Sequence, residues 1–470
     1  RSKDYKVNKF SGAIIGISIV FLIGGMLVGS QIFWSKDYAS LITHTEGNFE
    51  EDLTITDPSQ IPTIDRDMAE RLGSRKLGEV LNLVSQFDVS TEYTQIAYKG
   101  DSVRVSPLEY VSFFRWLNNR ADGIPHYVTV DMVTGDSELV NLEKNIHYSH
   151  SGYFGDDITR HIFFNYPTVM FENPVFELDE EGNPYYIAPI VEKKFSFMGP
   201  KEVVGVFVVD ASSGDITRYS VADVPDWVDR VFPANMVMTQ INYNGQYQGG
   251  YLNSVISKKG VIQNADGYNY IVLNDDLYLY TGLTSVAADE SNIGFVLVNS
   301  RTKESKRYNI STATEWSAME SAQGSVQEKG YISTFQLLFN MENKPVYQLS
   351  LKYDGGLIKM YAFVNATNYQ KVGTGNSLAA AWNAYTGGVV STTTDEEEEV
   401  VETETISGAI TAMESVVIDG ETTYYFTLEG DAETIYIAKV SIDKQLPFIK
   451  AGDSVTIEVD GARVVSIIKQ

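Results

Sequence analysis

The stretch HYVTVDMVTGDSELV, residues 126–140, sets the pattern for the middle of this 470-residue chain. Strand-forming residues run from Tyr127 to Val130, Asp131 follows, Thr134-Gly135-Asp136 makes a tight polar turn, and a second strand begins near Leu139. An Asx side chain opening such a turn accepts backbone N–H groups two residues on, and glycine tolerates the positive φ the turn requires. GVFVVDASSGDITRY (205–219) repeats the arrangement with Asp210 and Ser213-Gly214-Asp215. GFVLVNSRTKESKRY (294–308) is a third, degenerate copy around Asn299, Lys303 and Glu304. The turn-opening residues lie 79 and 89 residues apart, room for one supersecondary unit each.

A second internal match joins these. FELDEEGNPYYIAPIV (176–191) parallels FNMENKPVYQLSL (339–351), each a strand, an acidic Asn/Pro turn and a further strand. After the second copy comes LKYDGGLIKMYAFVNATNYQKV, with Gly355-Gly356 at a hairpin turn. Helical passages precede the ribbons. Asp65 is placed to cap a helix that carries acids early and Arg71, Arg75 and Lys76 late, with a break expected near Gly73. SAMESAQGSVQ reads as a short helix capped by Ser317. The expected fold is therefore α+β, with tandem helix-plus-antiparallel-sheet regions over residues 60–225 and 226–385.

A helix followed by strands that end in V-x-x-V-D-x-x-T/S-G-D/E resembles the PepSY-type module, through Val128 to Asp136 and Val206 to Asp215. That resemblance implies an extracytoplasmic bacterial setting and an association with peptidase inhibition or with membrane-bound assemblies. The run from about Gln60 to Val372 also resembles a family of single-pass proteins of Gram-positive bacteria. PTIDRDMAERLGSRKLGEV, SPLEYVSFFRWLNNR, NADGYNYIVLNDDLYLYTGLTSVAADESNIGF and KMYAFVNATNYQKV carry that second likeness. It implies a location and a fold, and no reaction.

The N-terminus fits that location. Residues 10–34 are free of charge and centre on AIIGISIVFLIGGMLVG, long enough as a helix to cross a hydrocarbon core of about 30 Å. Residues 1–9 form a basic stub, with Arg1, Lys3, Lys6 and Lys9 against Asp4. Acids dominate after Lys36, so the positive-inside rule puts the stub in the cytoplasm and residues 35–470 outside. A cleaved signal peptide is the rival, with an apolar run too long for an ordinary h-region. The expected partner of residues 10–34 is thus the lipid bilayer. Gly12-x3-Gly16 and Gly25-x3-Gly29 offer close helix approach and a route to a homo-oligomer. Residues 35–59 read as a juxtamembrane linker.

The C-terminal part reads separately. An acidic linker covers residues 386–405, and residues 406–470 hold five short β runs, with hairpin signals at Asp419-Gly420 and Asp460-Gly461. With DKQLPFIK between the third and fourth runs, the expectation is a small OB-like β-barrel.

Charge and composition narrow the function classes. With 36 Lys+Arg against 62 Asp+Glu the net charge is −26, which argues against nucleic acid as a partner. Absence of cysteine removes disulfides, thiolate metal sites and thiol catalysis. No nucleophile elbow or phosphate-binding P-loop occurs. His147, His150 and His161 lie close in sequence beside Asp156 and Asp157, and two histidines with an acid are a possible zinc set. HYSHSG nevertheless reads as an ordinary polar loop, so neither metal nor cofactor is expected. Gly373-Thr374-Gly375 reads as a flexible exit from the last sheet. Phe113, Phe114 and Trp116 read as core. The expectation is a membrane-anchored extracytoplasmic binding or assembly protein with protein partners, not an enzyme. Its rivals are a regulator of a cell-wall or membrane peptidase, and a metal-dependent hydrolase using the three histidines.

Overall fold

The computed structural model describes residues 2–53, 61–265, 267–286, 288–334, 336–342, 344–353, 356–387, 404–418, 421–439, 442, 446, 449–460 and 463–469. Most of the acidic linker, the turn residues Gly355, Asp419, Gly420 and Gly461, and most of DKQLPFIK lie outside the described residues. Two compact units result, Arg1–Val390 and Ser391–Gln470.

The first unit begins with α1 (Ser2–Val28), whose segment Ser11–Val28 is long and apolar enough to cross a membrane. A short turn leads to α2 (Gln31–Ala39). Four sheets follow, each preceded by a helix and antiparallel except for a short parallel strand, Thr45–Glu46, at the edge of the third. The first has α3 (Arg66–Gly78), then β1 (Thr94–Tyr98), β2 (Asp101–Tyr110), β3 (Ile124–Asp131) and β4 (Ser137–Ile146). The second has α4 (Ile158–Asn165), then β5 (Val175–Leu178), β6 (Pro184–Lys193), β7 (Lys201–Asp210) and β8 (Ile216–Ser220). The third has α5 (Ala234–Tyr247), then β9 (Asn269–Leu273), β10 (Asp276–Ser285), β11 (Ala288–Asn299) and β12 (Ser305–Tyr308). The fourth has α6 (Glu315–Ser325), then β13 (Leu337–Met341), β14 (Lys344–Lys352), β15 (Ile358–Asn365) and β16 (Val372–Gly375).

In every sheet the last three strands are neighbours in chain order, and the first pairs back on the second. Short strands at Phe87–Val89, Ile262–Asn264 and Ile332–Ser333 extend the outer edges of β2, β10 and β14, and a single bridge, Phe171 to Ile190, takes that place on β6. Each of the two expected regions therefore contains two sheets.

The repeated turn is chemically the same in all four. Asp131 Oδ1 accepts the N–H groups of Val133 and Thr134 at 2.7 and 2.8 Å. Asp210 Oδ1 takes those of Ser212 and Ser213, and Asn299 Oδ1 those of Arg301 and Thr302. In the fourth copy Asn365 Oδ1 holds Thr367 and Asn368. Gly135 and Gly214 adopt φ of +78° and +80°, and Lys303 stands in the corresponding place at +66°. That left-handed geometry costs a non-glycine residue roughly 1 kcal/mol; Lys303 is held by Glu202 at 2.8 Å.

Burial explains why the second sheet reads as unbroken apolar runs. Tyr186, Ala188, Ile190, Phe207 and Val209 face a core shared with the first sheet. Ile187, Val191, Val206 and Val208, from the other face, enter a core shared with the third. Strands covered on both faces lose polar alternation. The third sheet does the same. Leu279 and Val298 point toward the second sheet, while Tyr280, Phe295 and Leu297 enter the core with Phe339 and Phe363 of the fourth.

Four local expectations are corrected. α3 passes through Gly73 unbroken, because the bare Cα gives Tyr93 and Val128 room to pack against the helix. α6 starts earlier than expected, with Thr314 accepting from the Ser317 N–H at 3.2 Å. Gly373-Thr374-Gly375 is part of a strand, and the helix after it, α7 (Leu378–Thr386), folds back on it. Both glycines lie where a Cβ would meet that helix at Tyr385 and Ala381. Of the aromatic run, Trp116 is buried but Phe114 is 72% exposed.

The second unit comprises β17 (Glu404–Ile418), β18 (Glu421–Leu428), β19 (Asp431–Lys439), β20 (Ser454–Asp460) and β21 (Arg463–Lys469). Pairing runs β17-β18-β19-β21-β20 and returns from β20 to β17, closing a ring. The β19–β21 contact is parallel. Phe426, Tyr436, Leu446, Ile457 and Val464 fill its interior.

Candidate functional site

Where the first, third and fourth sheets converge, an open crevice of about 510 Å³ separates the start of α3 from β14 and the approach to β9. Its walls are unusually polar for a sheet junction. Asp65 serves as the cap of α3, accepting the Met68 N–H at 3.0 Å. Its other oxygen pairs with Lys352 of β14, which also meets Asp67 at 3.1 Å. On the facing side Arg104 of β2 donates to the Ile64 carbonyl at 3.2 Å and to Gln95 Oε1 at 3.4 Å. Burial lowers the Arg104 guanidinium to about 10, with Asp65 pulling the other way, so it stays charged at neutral pH.

The fourth sheet supplies uncharged donors. Gln348 is 3% exposed and its Nε2 has no hydrogen-bond partner among the described residues; the same holds for the Ser333 hydroxyl. Both line the crevice. A buried donor left unmatched costs about 1–3 kcal/mol, so two on one wall are expensive unless something polar enters. Ser350, the next crevice-lining residue on β14, donates to the Thr63 carbonyl. Together the walls offer three cations (Arg66, Arg104 and Lys352), two carboxylates and neutral donors. That set can form hydrogen bonds and ion pairs with a polar group of mixed character.

Beneath the crevice floor lies a buried acid pair. Glu177 of β5 is fully buried and accepts the N–H groups of Asp229 and Arg230, both at 2.9 Å. Asp229 is 1% exposed and accepts the Ala97 N–H at 2.6 Å. Burial raises both carboxyls far above the usual range, and the neighbouring Glu177 raises Asp229 further. The Arg230 guanidinium lies 4.3 Å over the Tyr270 ring, which lines the crevice.

The three histidines do not converge. His147 Nδ1 faces the Arg120 carbonyl at 3.4 Å, His150 Nε2 the Pro174 carbonyl at 2.8 Å, and His161 Nε2 the Gly214 carbonyl at 2.7 Å. Each ring fastens a different segment, and His161 also packs on Tyr148 at 4.2 Å. Among the described residues no three acidic or imidazole groups are placed to share a metal ion. A zinc set built on His147, His150 and His161 is thereby corrected to three separate loop anchors.

The helix glycines differ from one another. Gly12 and Gly16 have open space beside them, while at Gly25 and Gly29 a Cβ would run into Phe197 and Ser196. The second small-residue pair is therefore occupied by the chain's own β6–β7 loop.

Sequence reasoning missed Arg104, Lys352, Gln348 and Ser333. The available signal was modest: Gln348 and Ser350 alternate with Tyr347 and Leu349 in a strand whose every middle position is buried.

No protein-family model matches the chain, and comparison with curated proteins returns no match. Among solved structures, the Bacillus megaterium YpeB C-terminal domain aligns at 8% identity over 54% of this chain and 99% of that domain, with a TM-score of 0.12. A mutant Synechocystis apocarotenoid oxygenase aligns at 8% identity over 82% of this chain and 62% of the oxygenase, with a TM-score of 0.15. The intramolecular trans-sialidase from Ruminococcus gnavus gives 9% identity, 82% and 70% coverage, and a TM-score of 0.10. Similarities this weak carry no argument about fold or activity here.

Proposed function

We propose that this chain is a membrane-anchored extracytoplasmic binding or assembly protein of a Gram-positive cell surface, acting without catalysis. The observation that carries the reading is the preformed crevice with Gln348 and Ser333 as buried donors that have no partner among the described residues. A site already carrying that desolvation cost in the free protein gains from a polar occupant. The four Asx-turn units support a PepSY-type ancestry, and the strand order of the second unit, with its parallel β19–β21 contact, supports an OB-type barrel. The basic residues at the start of α1, Lys3, Lys6 and Lys9, support a cytoplasmic N-terminus.

A photo-crosslinking phenylalanine analogue at Tyr353, which lines the crevice and is 55% exposed, tests the reading in cells. A discrete crosslinked product that disappears on adding Gln348→Leu is expected. Failure of any product to depend on Gln348 would remove the crevice as the binding site.

A further inference from the structure

We propose that the β6–β7 loop, residues 194–200, is a second membrane anchor that seats the folded region against the outer leaflet. The proposal rests on reading α1 as a membrane span. The loop is attached to that helix by several independent contacts. Phe197 stacks on Phe21 with ring centres 4.9 Å apart and planes within 12°. Its ring fills the space beside Gly25. The Ser196 hydroxyl donates to the Gly25 carbonyl at 3.0 Å. Phe195 stacks on Trp34 at 5.2 Å and touches Tyr38 at 5.3 Å.

Depth follows from these contacts. Phe21 lies seven residues before the end of α1, about 10 Å along the axis at 1.5 Å per residue. A ring packed beside it lies at acyl-chain depth if α1 spans the bilayer. Phe197 and Met198 are 46% and 39% exposed, with their free surfaces turned away from the protein. In water that exposure is unfavourable; among acyl chains it is the expected arrangement for an interfacial segment. Lys193, whose ammonium donates to the Gly199 carbonyl at 3.0 Å, and Lys194 stand at the loop's neck, where long cationic side chains reach headgroup phosphates.

The end of α1 is finished in the same style. The Trp34 indole donates to the Val28 carbonyl at 2.7 Å, the Tyr38 hydroxyl to Gly29 at 2.6 Å, and the Ser30 hydroxyl to Leu27 at 2.7 Å. A helix leaving a membrane needs partners for its last carbonyls, and here side chains provide them before water is reached. Trp34 and Tyr38 are also the residue types favoured at a bilayer interface. Asn244 of α5 then donates to the Ala39 and Ile42 carbonyls, both at 2.9 Å, so the exit helix is fixed to the folded body. A fixed exit helix and a lipid-seated loop together hold the body in one orientation.

The occupant of this surface is lipid, because the loop continues the apolar face of the helix without a gap. The absence of native cysteine permits a clean test in the full-length chain. Met198→Cys, carrying an environment-sensitive fluorophore, is reconstituted into phosphatidylcholine vesicles containing an acyl-chain nitroxide lipid. Two reference positions accompany it. Glu180→Cys lies in the turn before β6, about 33 Å from the loop at 3.3 Å per strand residue, and Ile17→Cys lies within α1. Several-fold stronger nitroxide quenching at 198 than at 180, with protection from aqueous iodide, is expected, and Phe197→Cys should behave alike. If position 17 is protected while 198 is as open to iodide as 180, the loop anchor is overturned and the span stands. If position 17 is itself open to iodide, the span reading fails and the loop anchor falls with it.

Discussion

Replacing Asp229 by Asn should make the folded protein progressively more stable than wild type as pH rises above about 4. The carboxyl of Asp229 is 1% exposed, and burial followed by the neighbouring Glu177 raises it well above its usual value of 3.8. Asp276 pushes in the same direction, whereas the Ala97 N–H and Arg230 oppose it. Folded protein therefore keeps a proton that the unfolded chain gives up. Below the unfolded value both states are protonated and the site carries no pH-dependent penalty. Between the unfolded and folded values each pH unit costs about 1.4 kcal/mol, the free energy of one proton held in one state only. Above the folded value both states are ionised and the penalty stays constant. Asn keeps an oxygen for the Ala97 N–H and removes the titration, so the stability difference between variant and wild type should widen as pH rises above the unfolded value, by at most about 1.4 kcal/mol per pH unit, and level off once the folded carboxyl ionises. Urea unfolding at stepped pH, followed by tryptophan fluorescence, measures it; Trp227 packs at a tilt on Tyr185, ring centres 4.9 Å apart. Glu177→Gln leaves one of the two N–H groups facing an amide NH₂, a loss of about 1–3 kcal/mol; because burial raises the Glu177 carboxyl to about 7, it also removes a pH-dependent penalty of its own between the unfolded value and that pH. Parallel pH profiles for wild type and Asp229→Asn between pH 4.5 and 6.5 would refute the assignment of the extra proton to this pair.

Three further outcomes are expected. Gly25→Leu should lower the melting temperature of the full chain in detergent by displacing Phe197, whereas Gly16→Leu, beside open space, should leave it unchanged and act only on any self-association seen by analytical ultracentrifugation. Asn365→Ala should cost about 1–2 kcal/mol in chemical denaturation by removing the acceptor for two N–H groups, and Asp210→Ala should do the same in the second sheet. Gln348→Leu, which removes a buried donor with no partner among the described residues at nearly constant volume, should stabilise the free protein by about 1 kcal/mol while abolishing crosslinking from Tyr353.

What could be read from sequence was what depends on neighbours in the chain. The Asx turn is local chemistry, so Asp131 and Asp210 announced themselves, and Asn299 did so less clearly. The fourth copy at Asn365 escaped because Asn-Ala-Thr-Asn lacks the Gly-Asp that marks the first two, although its side chain binds the corresponding two N–H groups. The crevice was illegible for the opposite reason. Asp65, Arg104 and Lys352 are far apart in sequence and meet only after three sheets have packed. The rival zinc set at His147, His150 and His161 fails because closeness along the chain does not make side chains converge: with the first two in a loop and His161 on α4, each ring turns to a different carbonyl. Gly25 and Gly29 fit a helix-pairing pattern, but the pattern does not say which partner fills the groove, and here the chain fills it from residue 197.

Four similar sheets pose a problem of specificity, because apolar faces of one kind can pack on each other in several orders. The crossing from the second sheet to the third is fixed by Glu177, whose two oxygens grip the backbone of residues 229 and 230. Between the third and fourth sheets Glu315, 2% exposed, accepts from Asn292 at 2.8 Å, and Tyr347 donates to the Ala313 carbonyl beside it at 2.9 Å. Burial raises the Glu315 carboxyl too. Each such acid lowers stability relative to an apolar filling of the same volume. A mispaired sheet, however, would leave the carboxylate buried with no N–H group to meet it, at a cost of several kcal/mol. The acids therefore act against the wrong arrangements more than for the right one. Fixing the order of the sheets is also what brings Arg104, Gln348 and Lys352 to a single crevice.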